Sequence, residues 1–162
     1  MRAPRPDTNF GGTLEFMRLL WALDHVLHKQ SKWMARRFGV TGPQRFALRV
    51  VGREPDLSAG RLAEILKVHP STLTGILQRL ERRGFLARRI DANDRRRVRL
   101  ELTASGRAIT ATSRGSIEDR VSRILRRTST TRLAATADVL RSMVQVLEMG
   151  PGTGRAKRRI QG

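Results

Sequence analysis

The sequence predicts a mostly α-helical chain with one small β-hairpin. Helical apolar spacing recurs through most of the 162 residues, whereas Val98–Leu102 alternates apolar and charged side chains at the period of a half-buried strand. Apolar residues make up 39% of the chain before glycine is counted, which is enough for a folded core. We therefore expect one helical domain that carries a hairpin.

The first predicted helix is unusually apolar. Residues 1–12 contain proline and glycine and predict a flexible arm, and a helix without internal Gly or Pro runs from Leu14 to Arg37 inside the segment 13–40. Its first half is apolar on nearly every side, so a single neighbouring element cannot cover it. Because the chain is small, we expect a second copy of the protein to cover this N-terminal dimerisation helix.

Local signals mark the start of the next three helices. Thr41 and Gln44 have the spacing of a capping box, and Ser58 is a good cap for a third helix. A fourth helix begins at Pro70 and ends before Gly84, a residue suited to the left-handed end of a helix. Two short helices joined by a tight turn, with another packed beside them, predict a helix-turn-helix.

A hairpin is predicted directly after the fourth helix. Residues 85–90 and 98–102 have strand patterns, and the polar, arginine-rich segment 91–97 between them predicts the turn. A hairpin packed against a helix-turn-helix is a wing. The region 41–103 is therefore predicted to be a winged helix-turn-helix.

Two more helices are predicted, from Thr103 to about Arg127 and over residues 129–149. Two internal glycines weaken the pattern of the first. Apolar residues of the second recur every three or four positions, as in a coiled coil. We expect residues 104–149 to form C-terminal dimerisation helices and residues 150–162 to form a basic flexible tail.

The charge of the chain indicates a polyanionic partner. Its 33 Lys and Arg residues exceed its 14 Asp and Glu residues by 19. The segment from Arg79 to Arg107 alone contains ten arginines and four acidic residues. GC-rich codon usage can explain a preference for arginine, but not this clustering. Aromatic residues are only 4% of the chain, which argues against a stacking platform for single-stranded nucleic acid. The absence of cysteine excludes disulfides and thiolate metal clusters.

The helix that begins at Pro70 has an apolar face and, about 180° away, a polar one. Small hydroxyl side chains lie near its start and arginines lie towards its end. Short side chains let a helix approach base edges closely, hydroxyls reach phosphates or bases, and glutamine can bridge adenine N6 and N7. An ordinary solvated face is the alternative. The predicted groove-facing residues are Ser71, Thr72, Thr74, Gly75, Gln78 and Arg79.

The hairpin tip is the second predicted DNA contact. Arg95, Arg96 and Arg97 are consecutive, and a narrow minor groove attracts arginine because its potential is strongly negative. Asp94 can hold the guanidinium of Arg96 in a bidentate pair and fix its direction. The alternative is a solvated turn.

These motifs resemble the MarR-type (multiple antibiotic resistance regulator) winged-helix repressors. The resemblance covers roughly residues 14–149 and is carried by the run 73–86, by Asp91-x-x-Asp94-Arg95-Arg96 and by Leu100-x-Leu-Thr103-x-x-Gly106-Arg107. It implies a homodimer joined through its N- and C-terminal helices. It also implies recognition helices in successive major grooves, wing arginines in the flanking minor grooves, and an effector pocket between the dimer helices and the reading head.

Two positions depart from the family pattern, and the effector site is only weakly marked. His69 stands where a capping Ser or Asp is common, and Arg61 replaces an acid. The resemblance implies a pocket for an aromatic acid, for which Trp21, His25 and His28 are the candidates. Core or surface roles for these three residues are the alternative, and the two histidines lack the further ligands of a metal site.

The sequence thus predicts a sequence-specific regulator that binds double-stranded DNA, a homodimeric repressor relieved by a small aromatic or phenolic effector. The alternative is a constitutive architectural or nucleoid protein with the same fold and little sequence preference. No catalytic residue, cofactor or metal is predicted. No segment is apolar enough for a membrane span or a secretory signal, so we expect a cytoplasmic protein. Because no recognisable acid/base or nucleophile constellation is present, we do not expect an enzyme.

Overall fold

The structure, a computed structural model, describes residues 11–90, 98–112 and 114–149. Within these ranges the chain forms seven helices and one two-stranded antiparallel sheet, which confirms the predicted fold class. The chain divides into two compact units, with the boundary after Asp119. The elements are α1 (Gly12–Phe38), α2 (Gly42–Val51), α3 (Ala59–Leu66), α4 (Pro70–Arg82), β1 (Leu86–Ile90), β2 (Val98–Leu102), α5 (Ala104–Ala111), α6 (Ile117–Leu125) and α7 (Thr130–Glu148).

The core of the first unit lies among α2, α3, α4 and the sheet. Leu48, Leu62 and Leu80 are fully buried, one from each of the three helices. Leu86 and Leu100 add one buried side chain from each strand. Burial of this kind stabilises a helix mainly through its apolar face, so α4 is held with its apolar side inward.

The predicted helix starts are confirmed by side-chain caps. Thr41 and Gln44 form a reciprocal capping box, in which the Thr41 N–H donates to Gln44 Oε1 at 3.0 Å. Ser58 Oγ accepts a hydrogen bond from the Arg61 N–H at 3.2 Å, so α3 begins where the sequence predicts. Gly84 has φ of 69°, the left-handed conformation expected at the end of α4.

The turn between α3 and α4 closes a helix-turn-helix. Lys67 adopts a left-handed conformation with φ of 52°, and the Val68 N–H donates to the Ala63 carbonyl oxygen at 3.1 Å. The chain therefore leaves α3 sharply and enters α4 at Pro70 after only three residues. This geometry fixes α4 against α2 and α3 at its apolar side.

The hairpin is anchored at its base to the end of α4. The two strands pair antiparallel, with Leu86 opposite Leu102. Thr103 ties them to the helix, because its hydroxyl donates to the Gly84 carbonyl oxygen at 2.6 Å and its N–H donates to the Phe85 carbonyl oxygen at 3.2 Å. A Cβ at Gly106 would overlap the Phe85 carbonyl, so this close approach requires glycine.

The single helix predicted from Thr103 to about Arg127 is wrong. The chain leaves the helical conformation after α5 and resumes it in α6, and Gly115 lies between them with φ of 84°. Ser116 and Asp119 begin the new helix: Ser116 Oγ accepts from the Asp119 N–H at 3.2 Å, and Asp119 Oδ2 accepts from the Gly115 N–H at 3.1 Å. The four residues Ser-Ile-Glu-Asp are a capping signal that the sequence analysis overlooked.

The two longest helices leave apolar side chains uncovered in the described residues. On α1, Trp21 is 68% exposed and only Met34 is buried. On α7, which lies in the second unit, no residue is buried and Leu147 is 75% exposed. Within residues 11–90, 98–112 and 114–149, no helix has both the length and the apolar character needed to cross a bilayer.

Candidate nucleic-acid interface

The predicted polarity of α4 is confirmed. Leu73, Ile76, Leu77 and Leu80 are at most 7% exposed, and together they form the side of the helix that packs on the core. The polar residues predicted to face a groove lie on the other side, where all but the half-buried Gly75 are exposed. They are Ser71, Thr72, Thr74, Gly75, Gln78 and Arg79. We call this surface the α4 polar face.

The start of α4 is capped by histidine. His69 is the N-cap residue, and its Nδ1 accepts a hydrogen bond from the Ser71 N–H at 3.3 Å. The same nitrogen lies 2.8 Å from Ser71 Oγ. The departure from a Ser or Asp cap therefore leaves capping intact, because the imidazole lone pair takes the place of a side-chain oxygen.

The middle of the α4 polar face offers hydrogen-bonding groups to a partner. Thr74 Oγ1 donates to the Pro70 carbonyl oxygen at 2.9 Å, which satisfies its hydrogen within the helix and leaves oxygen lone pairs to accept. The side-chain amide of Gln78 makes no hydrogen bond within the described residues. An amide has two donors and an acceptor, the set that matches an adenine edge in the major groove.

Gly75 could be a larger residue as far as the described protomer is concerned. A Cβ built at this position meets nothing within 4 Å, and the residue lies inside a regular helix. Glycine in a helix interior costs about 1 kcal/mol relative to alanine. Neither the backbone conformation nor packing within the described residues therefore requires glycine at this position.

Arginines surround the end of α4 and continue into the hairpin. Arg79 and Arg82 are exposed on the last turns of α4. Arg88 on β1 pairs with Glu81 at 2.7 Å, and the side chain of Arg88 remains 43% exposed. The predicted wing contacts Asp94, Arg95, Arg96 and Arg97 lie outside the described residues, as do the N-terminal arm up to residue 10 and the basic tail 150–162.

The candidate effector residues are exposed on α1. Trp21, His25 and His28 all lie on the surface of the described protomer, and Nδ1 of His28 lies 3.1 Å from a carboxylate oxygen of Asp24. Within the described part of the chain, no three histidine, aspartate or glutamate side chains come together as a metal site would need. The role of these three residues in effector binding stays a prediction.

A buried arginine in α2 was not predicted from the sequence. The Arg45 side chain is completely buried, and its guanidinium donates to the carbonyl oxygens of Thr110 at 3.3 Å and Thr112 at 2.6 Å, at the end of α5. It also donates to the Ile109 carbonyl, and its Nε lies 3.2 Å from a carboxylate oxygen of Glu118 at the start of α6. Burial lowers the pKa of Arg45, and Glu118 partly opposes that shift. Arg45 thus joins α2 to the α5–α6 junction.

The fold resembles solved structures of proteins bound to DNA or to a small aromatic acid. The MepR–DNA complex of S. aureus superposes with a TM-score of 0.67 at 21% identity, covering 82% of this chain and 97% of that one. Streptococcus pneumoniae FabT in complex with DNA gives 0.64 at 26% identity, covering 85% and 98%. The Mycobacterium tuberculosis protein Rv2887 in complex with p-aminosalicylic acid gives 0.52 at 26% identity, covering 78% and 95%.

The sequence matches known regulators over its central part. It is 32% identical over 88 residues to the organic hydroperoxide resistance transcriptional regulator of Bacillus subtilis, which is 54% of this chain and 60% of that protein. It is 29% identical over 109 residues to the transcriptional repressor Rv2887 of M. tuberculosis, which is 67% of this chain and 78% of the repressor. The model of the MarR family matches residues 17–97, half of the 162 residues. With this match and this fold, the chain belongs to the MarR family.

Proposed function

We propose that the chain is a homodimeric transcriptional repressor that binds a specific double-stranded DNA site and is released from it by a small aromatic or phenolic effector. The α4 polar face reads bases in the major groove, and the hairpin contacts the adjacent minor groove. The proposal assigns the protein no catalytic role and places it in the cytoplasm.

The observation that carries this proposal is the α4 polar face. A helix held against the core by four buried apolar residues presents hydroxyls, the half-buried Gly75 and an amide without a partner among the described residues on its opposite side. The helix width fits the major groove, where these groups find matching donors and acceptors. The net charge of +19 supplies the attraction to phosphates that accounts for much of protein–DNA affinity.

The uncovered apolar residues of α1 and of α7 support a homodimer. Each helix, taken by itself, exposes more large apolar side chains than a monomer usually leaves in water. A second protomer is the expected cover. A two-fold dimer presents two copies of α4 and therefore needs a DNA site with two related halves.

Two relatives support the proposed partners. FabT of S. pneumoniae was solved in complex with DNA, and Rv2887 of M. tuberculosis was solved in complex with p-aminosalicylic acid. We propose that Trp21, His25 and His28 line the corresponding effector pocket here. Because these residues are exposed in the single protomer, the pocket needs further walls that the dimer supplies.

A comparison of specific and random duplexes tests the proposal. Genomic fragments bound by the purified protein define the operator, and titrations then measure its affinity and that of random DNA at the same salt concentration. We expect the protein to bind the operator ~10³-fold or more tightly than random DNA. The operator should have half-site centres about 10 bp apart. Equal affinity for both duplexes would instead establish the low-specificity architectural protein.

The variant Arg96→Ala tests the wing. Loss of a minor-groove arginine is expected to weaken operator binding about tenfold without altering the helical content or the dimer. Fluorescence anisotropy at moderate salt gives the affinity, and circular dichroism and sedimentation check the fold and the dimer. An unchanged affinity would remove the hairpin tip from the DNA interface.

A further inference from the structure

A concave site on the first unit is lined by none of the residues of the α4 polar face. It is a cleft of about 260 Å³ between the end of α2, the end of β2 and the last turn of α5. We call it the arginine cleft. Its lining residues are Arg49, Gly52, Arg53, Leu102, Arg107, Thr110 and Ala111.

The charge of the arginine cleft is all of one sign. Arg49, Arg53 and Arg107 line it, and no acidic residue does. Arg49 donates to the Thr110 carbonyl oxygen at 3.4 Å, and Arg107 donates to the Leu102 carbonyl oxygen at 2.7 Å. None of the three makes an ion pair within the described residues, and a guanidinium has five donor hydrogens, so most donors in the cleft are unused.

The end of α5 offers these cations only a partial counter-charge, which they share with Arg45. A helix C-terminus carries the equivalent of about −0.5 charge, and the buried Arg45 already contacts the same carbonyl groups. Burial lowers the pKa of the neighbouring Arg45, and repulsion by Arg49, which lines the cleft, lowers it further. An anion in the cleft would relieve this repulsion.

The floor of the cleft is kept open by glycine. Gly52 has an ordinary right-handed conformation, so its backbone does not require glycine. A Cβ there would come within 2.8 Å of Leu102 Cδ1, so it would displace that side chain, which also lines the cleft. The cleft is smaller than the ~300–1,000 Å³ pockets that typically bind drug-sized ligands, so it suits a compact ligand.

We propose that the arginine cleft binds a compact anion with at least two negative charges, such as a phosphate ester or a small polycarboxylate. Three guanidinium groups match such an anion through charge-assisted hydrogen bonds. A second cleft of about 380 Å³ shares Gly52, Leu102 and Arg107 with it, but its lining includes Asp56 and Glu101. The anionic group therefore sits beside Arg49 and Arg53, on the side without acids.

The test uses inorganic pyrophosphate and the intact protein. Thermal unfolding is measured with pyrophosphate and with sodium chloride at matched ionic strength, and two-dimensional amide NMR locates the binding site. We expect a higher Tm with pyrophosphate and the largest shifts at the amides of Gly52 and Ala111. The variant Arg53→Gln/Arg107→Gln, at two exposed positions, should bind pyrophosphate at least tenfold more weakly.

The matched control is Arg36→Gln/Arg37→Gln, which removes the same charge from exposed positions at the end of α1. It should keep wild-type affinity for pyrophosphate. Equal losses in both variants, or amide shifts spread over the whole basic surface, would overturn the proposal. A third result would also overturn it: the wild type binds no pyrophosphate, and Arg53→Gln/Arg107→Gln binds the operator more weakly. The cleft would then hold a DNA phosphate. A variant with a disabled α4 polar face should still bind pyrophosphate, so this test is independent of the proposed DNA reading.

Discussion

Replacing Gly75 by leucine is expected to weaken operator binding by about 100-fold or more while the fold stays at least as stable. Within the protomer, a side chain at position 75 meets nothing within 4 Å, and leucine is a better helix former than glycine by somewhat under 1 kcal/mol. In the proposed complex, the same side chain would hold the α4 polar face away from the base edges. It would thereby disrupt more than one base contact, each worth about 1–3 kcal/mol.

This variant is informative because its operator affinity should fall while its thermal stability should not. Operator affinity is measured by fluorescence anisotropy and Tm by thermal unfolding, with Gly12→Leu as the control because position 12 is equally open. The control should leave operator affinity unchanged. Wild-type operator binding by Gly75→Leu would show that the α4 polar face does not enter a groove.

Removal of the buried arginine in α2 is expected to cause the largest loss of stability. The substitution Arg45→Met should lower the free energy of unfolding by about 3–5 kcal/mol, because it leaves the Glu118 carboxylate and the carbonyl groups at the end of α5 without their partner. Denaturant titration at a fixed protomer concentration measures the change, since the proposed dimerisation would contribute to the stability.

An exposed ion pair provides the control for Arg45. Arg141 pairs with Asp138 on the surface of α7, and both side chains are about 70% exposed. The substitution Arg141→Met should change the free energy of unfolding by less than about 1 kcal/mol. A similarly small change for Arg45→Met would mean that the buried arginine does not hold the α5–α6 junction.

Most of the first unit could be predicted because its signals are local. The capping box at Thr41, the cap at Ser58 and the left-handed Gly84 each depend on residues within three or four positions of one another. The apolar spacing of α4 predicts which side is buried because its neighbours in the core are themselves apolar. The prediction of the α4 polar face follows directly from that spacing.

Arg45 was missed because its cause is not local, whereas the α5–α6 junction does carry a local capping signal, from Ser116 to Asp119, that was overlooked. Arg45 contacts residues 64 to 67 positions further along the chain, and nothing beside it in the sequence distinguishes it from a surface arginine. Its neighbour Phe46 is 47% exposed, so the usual preference of apolar over charged residues for the interior is reversed here. The arginine cleft was missed for the same reason as Arg45, since Arg107 is distant in the sequence from Arg49 and Arg53.

The anchored base of the hairpin has a consequence for how this protein reads DNA. Thr103 binds the hairpin to the end of α4, and Gly106 packs closely against the Phe85 carbonyl at the same place. In the proposed complex, the protein therefore sets the distance along the duplex between the base pairs that α4 contacts and those that the hairpin contacts. New target sequences would then arise by exchanging surface side chains, while the spacing of the contacted base pairs stays constant.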